Sequence, residues 1–280
     1  MLERDETPSE AGMADIAYLA RSANRVEILE TLVTGPYTSR EVEAATGVSR
    51  STLDRILSEL QERGWAERAT EGGYTATAVG KFAVTEFAPL VDAMTALREL
   101  GDAIAWLPRE ELSIGLHHFS DAVVRTPESN SVTAPAAYMT KLLRDATEFA
   151  CLVRIAPPLG FEIAMRDRAV DGSLTTEHVI TADELAYIAD QPDRVDRWRE
   201  YLEAGVDVYC YDGEVPCNLF VIDDAVLVVD REPEVCAFIE SENETVREWA
   251  RNLIGTYRMD AERLHPEAFS ESQSVAAGEG

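Results

Sequence analysis

The fold of this chain is constrained most tightly by the run Thr46-Gly47-Val48-Ser49-Arg50-Ser51-Thr52-Leu53-Asp54-Arg55-Ile56-Leu57-Ser58-Glu59-Leu60. Gly47 allows a tight turn between two helices. Val48 is the apolar residue that packs the turn inward. Ser49 is placed to cap the next helix through its hydroxyl. Leu53, Ile56, Leu57 and Leu60 recur at three- and four-residue spacing, so they form one buried stripe. The other face, near the helix start, offers Arg50, Ser51, Thr52 and Arg55. Short hydroxyls and forked cations can contact phosphates and base edges, and a helix N-terminus itself attracts phosphate.

The neighbouring signals fall in a fixed order. A first helix is expected from about Asp15 to Val33, on the spacing of Ile16, Leu19, Ala20, Ala23, Val26, Ile28, Leu29 and Leu32. Thr34-Gly35-Pro36 stops it. Thr38 or Ser39 opens a short second helix that carries Arg40, with Glu41 in its first turn. After the third helix, Gly64 is a stop. Trp65 to Arg68 and Gly73 to Thr77 can pair as strands around a tip at Glu71-Gly72-Gly73, next to Tyr74. Helix, helix, glycine turn, helix, hairpin resembles the winged helix-turn-helix regulators of archaea and bacteria. The resemblance covers about residues 13–85. It implies double-stranded DNA as partner, met by Thr38, Arg40, Ser49, Arg50, Ser51, Thr52, Arg55, Gly72, Gly73 and Tyr74. A winged helix serving as a protein-interaction adaptor is the other reading, and Asp54, Glu59 and Glu62 would suit it. The hydroxyl-and-arginine patch favours DNA.

Charge has to be reconciled with that partner. The chain holds 25 Lys and Arg against 52 Asp and Glu, a net charge of −27. From Met13 to Thr85 there are 8 basic and 10 acidic residues, so the acid lies mostly elsewhere. Only Lys81 and Lys141 are lysines; the other 23 cations are arginine. Many carboxylates with almost no lysine resemble the proteome of a salt-loving archaeon, although an ordinary acidic protein is the plain alternative. In high salt the screening length falls to a few ångströms, and the local groove surface decides binding.

Ala78 to Leu107 has helical periodicity through Phe82, Phe87, Leu90, Val91, Met94, Leu97, Leu100, Ile104 and Leu107, interrupted by Pro89. Its core, residues 86–110, reads as a connecting helix. It serves either a homodimer, which suits two operator half-sites, or packing on the next domain. Residues 111–265 then alternate between strand and helix patterns, an α/β domain with a mixed sheet. Helices are expected at Ala136–Phe149, Leu159–Val170, Asp193–Ala204 and Thr245–Arg263, and another opens at Thr181. Strands are expected at Ala150–Ile155, Leu174–Ile180, Val206–Tyr211, Asn218–Ile222, Ala225–Val229 and Val235–Ile239. Thr181 with Glu184, and Ser241 with Glu244, read as capping boxes. The fold class is α+β overall. Thr147 to Ile155, Leu174 to Thr181, Val208 to Asp224, and Ser241 to Arg258 resemble the effector domain of archaeal regulators of the methanogenesis-regulator type. That resemblance implies transcription control by an unidentified small-molecule effector on a phospholipase-D-like, non-catalytic fold.

An enzyme is not expected. The HxK motif of true phospholipases is missing around His117, His118 and His178, and no GxSxG or P-loop occurs. Cys151, Cys210, Cys217 and Cys236 have no CxxC pairing and read as buried, reduced thiols. Asp207, Asp212, Asp223 and Asp224 are a cluster that so acidic a chain produces by chance. No cofactor and no metal are therefore expected. A ligand pocket would lie near strand ends, but Arg154, Tyr209 and Tyr211 there read as ordinary sheet residues. With no apolar span and no signal peptide, the expected location is the cytoplasm, without membrane association. Residues 1–12 and 266–280 are expected to be disordered.

Overall fold

Apolar stripes at helical spacing and apolar runs at strand spacing alternate along the chain, and each buries its face in one of two separate units. A computed structural model describes residues 9–70, 72–127, 131–155, 157–230 and 236–269. One unit extends to Val91 and the other starts at Asp92.

The first unit contains α1 (Glu10–Ala20), α2 (Ala23–Val33), α3 (Ser39–Thr46), α4 (Arg50–Glu62), β1 (Ala66–Arg68), β2 (Tyr74–Ala76) and the first half of α5 (Ala78–Leu100). It is a winged helix-turn-helix. Leu19, Ile28, Leu29, Leu32, Val42, Leu53, Ile56, Leu57, Leu60 and Trp65 share one core. Each large side chain fully withdrawn from water contributes about 1.5–3 kcal/mol. The single helix expected from Asp15 to Val33 is in fact two. Ser22 is extended (φ −160°, ψ 120°) and breaks it, while the Arg25 guanidinium donates to the Tyr18 carbonyl at 2.7 Å. Apolar spacing concealed the break because both helices turn toward the same core. The helix also starts inside the stretch expected to be disordered: Glu10 to Gly12 belong to α1, and the Ser9 hydroxyl accepts from the Gly12 amide at 3.4 Å. Residues 1–8 lie outside the described residues.

Helix α5 passes through Pro89 and ends at Leu100, with a 3-10 turn from Gly101 to Trp106 in place of the expected continuation to Leu107. Val84 and Phe87 pack in the first core, and Ala96 and Leu100 in a core of the second unit.

The second unit is built on an eight-stranded mixed sheet. Its strands are β3 (Val123–Arg125), β4 (Glu148–Val153), β5 (Thr175–Thr181), β6 (Asp207–Tyr211), β7 (Asn218–Ile222), β8 (Ala225–Val229), β9 (Phe238–Ser241) and β10 (Glu262–Arg263), in the order β10-β6-β5-β4-β7-β8-β9-β3. The pairs β4–β5 and β5–β6 are parallel, and the other pairs are antiparallel. Alternation decides which side chain faces which layer. Phe149, Cys151 and Val153 join the core under α6 (Ala134–Asp145), α7 (Leu159–Val170), α8 (Ala182–Ala189) and α9 (Pro192–Glu203). Leu152, Leu219 and Val221 face the core under α10 (Glu244–Met259). With both faces covered, β7 and β8 are buried at every position.

Several expected boundaries move. Phe149 is in β4, not at the end of a helix, because α6 stops at Asp145. Asn243, not Ser241, caps α10; its side chain accepts from the Thr245 and Val246 amides, while Ser241 ends β9. Helix α10 stops at Met259, and Glu262–Arg263 pair with β6. Strand β9 lies later than Val235–Ile239, and Val235 itself is outside the described residues. Pro266–Phe269 is not disordered: it forms a 3-10 turn and buries Phe269. Residues 270–280 are outside the described residues. Cys151 and Cys217 are buried free thiols, but Cys210 and Cys236 are only half-buried.

Candidate nucleic-acid interface

The amino ends of α3 and α4 open on the same cleft as the wing. The cleft, about 390 Å³, is lined by Thr38, Ser39, Arg40, Arg50, Asp54, Arg68, Gly73 and Tyr74. Three of these are guanidiniums and one is a carboxylate. Thr38 caps α3 in a complete capping box. Its amide donates to Glu41 Oε2 at 2.7 Å, and its hydroxyl accepts from the Glu41 amide at 3.3 Å. Those Thr38 hydrogen bonds hold the Glu41 carboxyl below its ordinary pKa, so it is charged at the positive end of the helix.

The wing is held against α3 through backbone. Tyr37 and Tyr74 exchange hydrogen bonds at 2.9 and 2.7 Å, forming a bridge that the sequence did not signal. Gly73 makes this approach feasible. Its φ is +91°, and a Cβ there would sit 2.7 Å from the Tyr37 carbonyl oxygen.

Five of the ten residues expected at DNA meet in this cleft: Thr38, Arg40, Arg50, Gly73 and Tyr74. Ser51 and Arg55 are exposed on α4 and Gly72 on the hairpin tip, outside the cleft lining. Ser49 sits at the N-cap position of α4 but makes no capping bond; its hydroxyl bonds Thr52 Oγ1 at 3.0 Å instead. The expected hydroxyl cap is therefore absent. The two α4 arginines are tethered to carboxylates one turn on, Arg50 to Asp54 at 3.4 Å and Arg55 to Glu59 at 2.6 Å. Burial raises the Glu59 carboxyl, but its bond to Arg55 and the charges of Arg55 and Arg25 outweigh that and lower its pKa. A phosphate taking either arginine must compete with that partner.

Arg68 is the residue that sequence reasoning missed. It pairs with Tyr74 across the hairpin, donates to the Tyr74 hydroxyl at 2.9 Å, and stacks over its ring at 4.9 Å. The hairpin register, once drawn, places it beside Tyr74.

Two family models match the chain. Residues 13–99 match the HVO_A0261 N-terminal domain. Residues 132–260 match the middle domain of the methanogenesis regulatory protein FilR1, the regulator type that the C-terminal motifs resembled. No curated protein matches the chain. Among solved structures, TrmBL2, an archaeal chromatin protein, is 14% identical, with 91% of this chain and 100% of that one covered and a TM-score of 0.41. Nuc, a phospholipase D family member from Salmonella typhimurium, is 8% identical over 51% of this chain and 97% of that one, also with a TM-score of 0.41. An IclR homolog from a Microbacterium strain is 14% identical over 85% and 96%, with a TM-score of 0.23. Likenesses this remote say nothing about function.

Within the region matching FilR1, a buried polar chain links β4, β5 and α9 on one face of the sheet. The Tyr201 hydroxyl donates to Thr176 Oγ1 at 2.6 Å. It therefore accepts from His178 Nε2, and His178 Nδ1 is left to accept from the Cys151 thiol at 3.1 Å. Burial holds His178 down to about 3 and pushes the Cys151 thiol up. Both are neutral at physiological pH, so this is a structural fastener and not an activated thiol. Among the described residues, no helix is long and apolar enough to cross a membrane, and no three His, Cys, Asp or Glu gather as metal ligands.

Proposed function

We propose that this chain is a sequence-specific, DNA-binding transcription regulator. It acts as a homodimer in the cytoplasm of a salt-loving archaeon, and a small molecule sensed in its second unit controls it. The observation that carries the reading is the cleft where Arg40, Arg50 and Arg68 converge between two helix amino ends and a wing. Helix amino ends and guanidiniums are the groups that seat a phosphate backbone. Ser51, Thr52 and Arg55 on the same helix then face base edges. The match to a regulatory protein's middle domain supports control by a signal. The dimer is supported by α5, where Val79, Phe82, Leu90, Met94 and Leu97 fall along one side of the helix and stay exposed. The neutral Cys151–His178 pair and the missing HxK motif favour a regulator over an enzyme on a phospholipase-D-like fold.

A genome-wide occupancy map at native salt tests this reading. It predicts peaks that share a sequence motif with twofold character. Occupancy without any motif, seen only together with a protein partner, would replace it with the adaptor reading.

A further inference from the structure

Helix α4 carries two arginines beside carboxylates, and the two pairs are built differently. Arg50 meets Asp54 at 3.4 Å, and both side chains are more than half exposed. The Asp54 carboxylate makes no other ion pair among the described residues. Arg55 meets Glu59 at 2.6 Å, and Glu59 is itself held from behind. Its other oxygen takes Arg25 Nη2 at 3.2 Å. The Arg25 side chain is 13% exposed, donates from Nη1 to the Tyr18 carbonyl at 2.7 Å and lies over the Tyr18 ring at 4.1 Å. The chain Tyr18–Arg25–Glu59–Arg55 therefore runs from the end of α1, through the start of α2, to the exposed face of α4.

This brace has two consequences. The first is orientation. Glu59 takes Arg55 Nη1. The Nε–H and Nη2–H of a guanidinium point the same way along its opposite edge, and that fork matches O6 and N7 of a guanine. A side chain held before binding loses less freedom on binding. The second is choice of partner. A phosphate on that fork brings a full negative charge to within roughly 5 Å of the Glu59 carboxylate, where like charges repel. A guanine edge is neutral and meets no such repulsion. The carboxylate thus holds Arg55 toward a base and away from the backbone.

We propose that Glu59 is a positioning residue that sets DNA specificity by holding Arg55 to read one guanine of the operator. This rests on the reading of the chain as a DNA-binding regulator. The test is binding across a salt series to two duplexes, one carrying the motif from the occupancy map and one scrambled at equal composition. Arg55→Ala, at an exposed position, should lose about tenfold or more in operator affinity, together with the preference for one G·C pair, and keep its salt slope. Glu59→Gln frees Arg55 to turn to a phosphate. It should bind the scrambled duplex more tightly, with a log–log salt slope larger by about 1, and lose most of the same G·C preference. Melts check each variant's fold, and Arg55→Ala keeps the test informative if Glu59→Gln does not fold. A slope that drops by about 1 in Arg55→Ala marks a phosphate contact and overturns the assignment. So does a folded Glu59→Gln whose ratio of operator to scrambled affinity matches wild type. A wild type that does not distinguish the two duplexes instead overturns the sequence-specific DNA reading itself.

Discussion

Gly73 shows how one residue joins sequence, fold and site. Its place in a glycine pair marked a hairpin tip in advance. Its closeness to the Tyr37 carbonyl was not legible, because that contact joins segments far apart in sequence. Gly73→Ala should destabilise the first unit by about 1–3 kcal/mol, from the left-handed backbone and the displaced bridge, as read by denaturant melts. Titration of two buried groups gives a second prediction. His178 is held to about 3 from an ordinary 6.5, so its contribution to stability is present above pH 6.5 and lost as pH falls toward 3. Glu184 is raised to about 7 from 4.5, by burial and by Glu162 against the pull of Arg194, so its contribution is present below pH 4.5 and lost as pH rises to about 7. The two slopes oppose each other between pH 4.5 and 6.5. Glu184→Gln cannot ionise. Relative to wild type it should gain stability as pH rises from 4.5 to 7, by up to about 3 kcal/mol. A pH-independent difference between the two melts would refute this.

At the scale of elements, identical signals did not give identical structures. Thr38 and Ser49 both precede helices as hydroxyl caps. Only Thr38 bonds its helix amide, while the Ser49 hydroxyl turns to Thr52. Thr38→Ala should therefore cost about 1 kcal/mol, and Ser49→Ala less than about half of that, in thermal melts. Side-chain rotamers choose between such bonds, and sequence pattern does not register them. Elements with clear apolar runs beside turn signals were legible: Leu159–Val170, Asn218–Ile222 and Ala225–Val229 form as read. Strands β3 and β10 have three and two residues, too few to show a period, and they exist because a neighbouring strand offers an unpaired edge. The α1–α2 break was hidden for the opposite reason, since the apolar period runs through it.

For the whole molecule, the question is how a chain of net charge −27 approaches a polyanion. The cleft offers a local answer, with three guanidiniums and one carboxylate, and the proposed high-salt setting would screen the remaining charge beyond a few ångströms. The helix-turn-helix and five residues of the cleft lining were legible because turn glycines and hydroxyl caps are local signals. Arg68 was not, because its role depends on hairpin register. The exposed α5 stripe, as the proposed dimer face, predicts that the wild type sediments as a dimer and that Phe82→Glu combined with Met94→Glu sediments as a monomer; a monomeric wild type, or a dimer that persists in the variant, would contradict that face. The cleft itself is tested most directly by operator affinity measured across a salt series, wild type against Arg40→Ala/Arg50→Ala/Arg68→Ala. The triple variant should keep its fold, bind on the order of 100-fold more weakly, and show a log–log salt slope smaller by about 3. An unchanged affinity and an unchanged slope in a folded triple variant would contradict the assignment of this cleft to DNA.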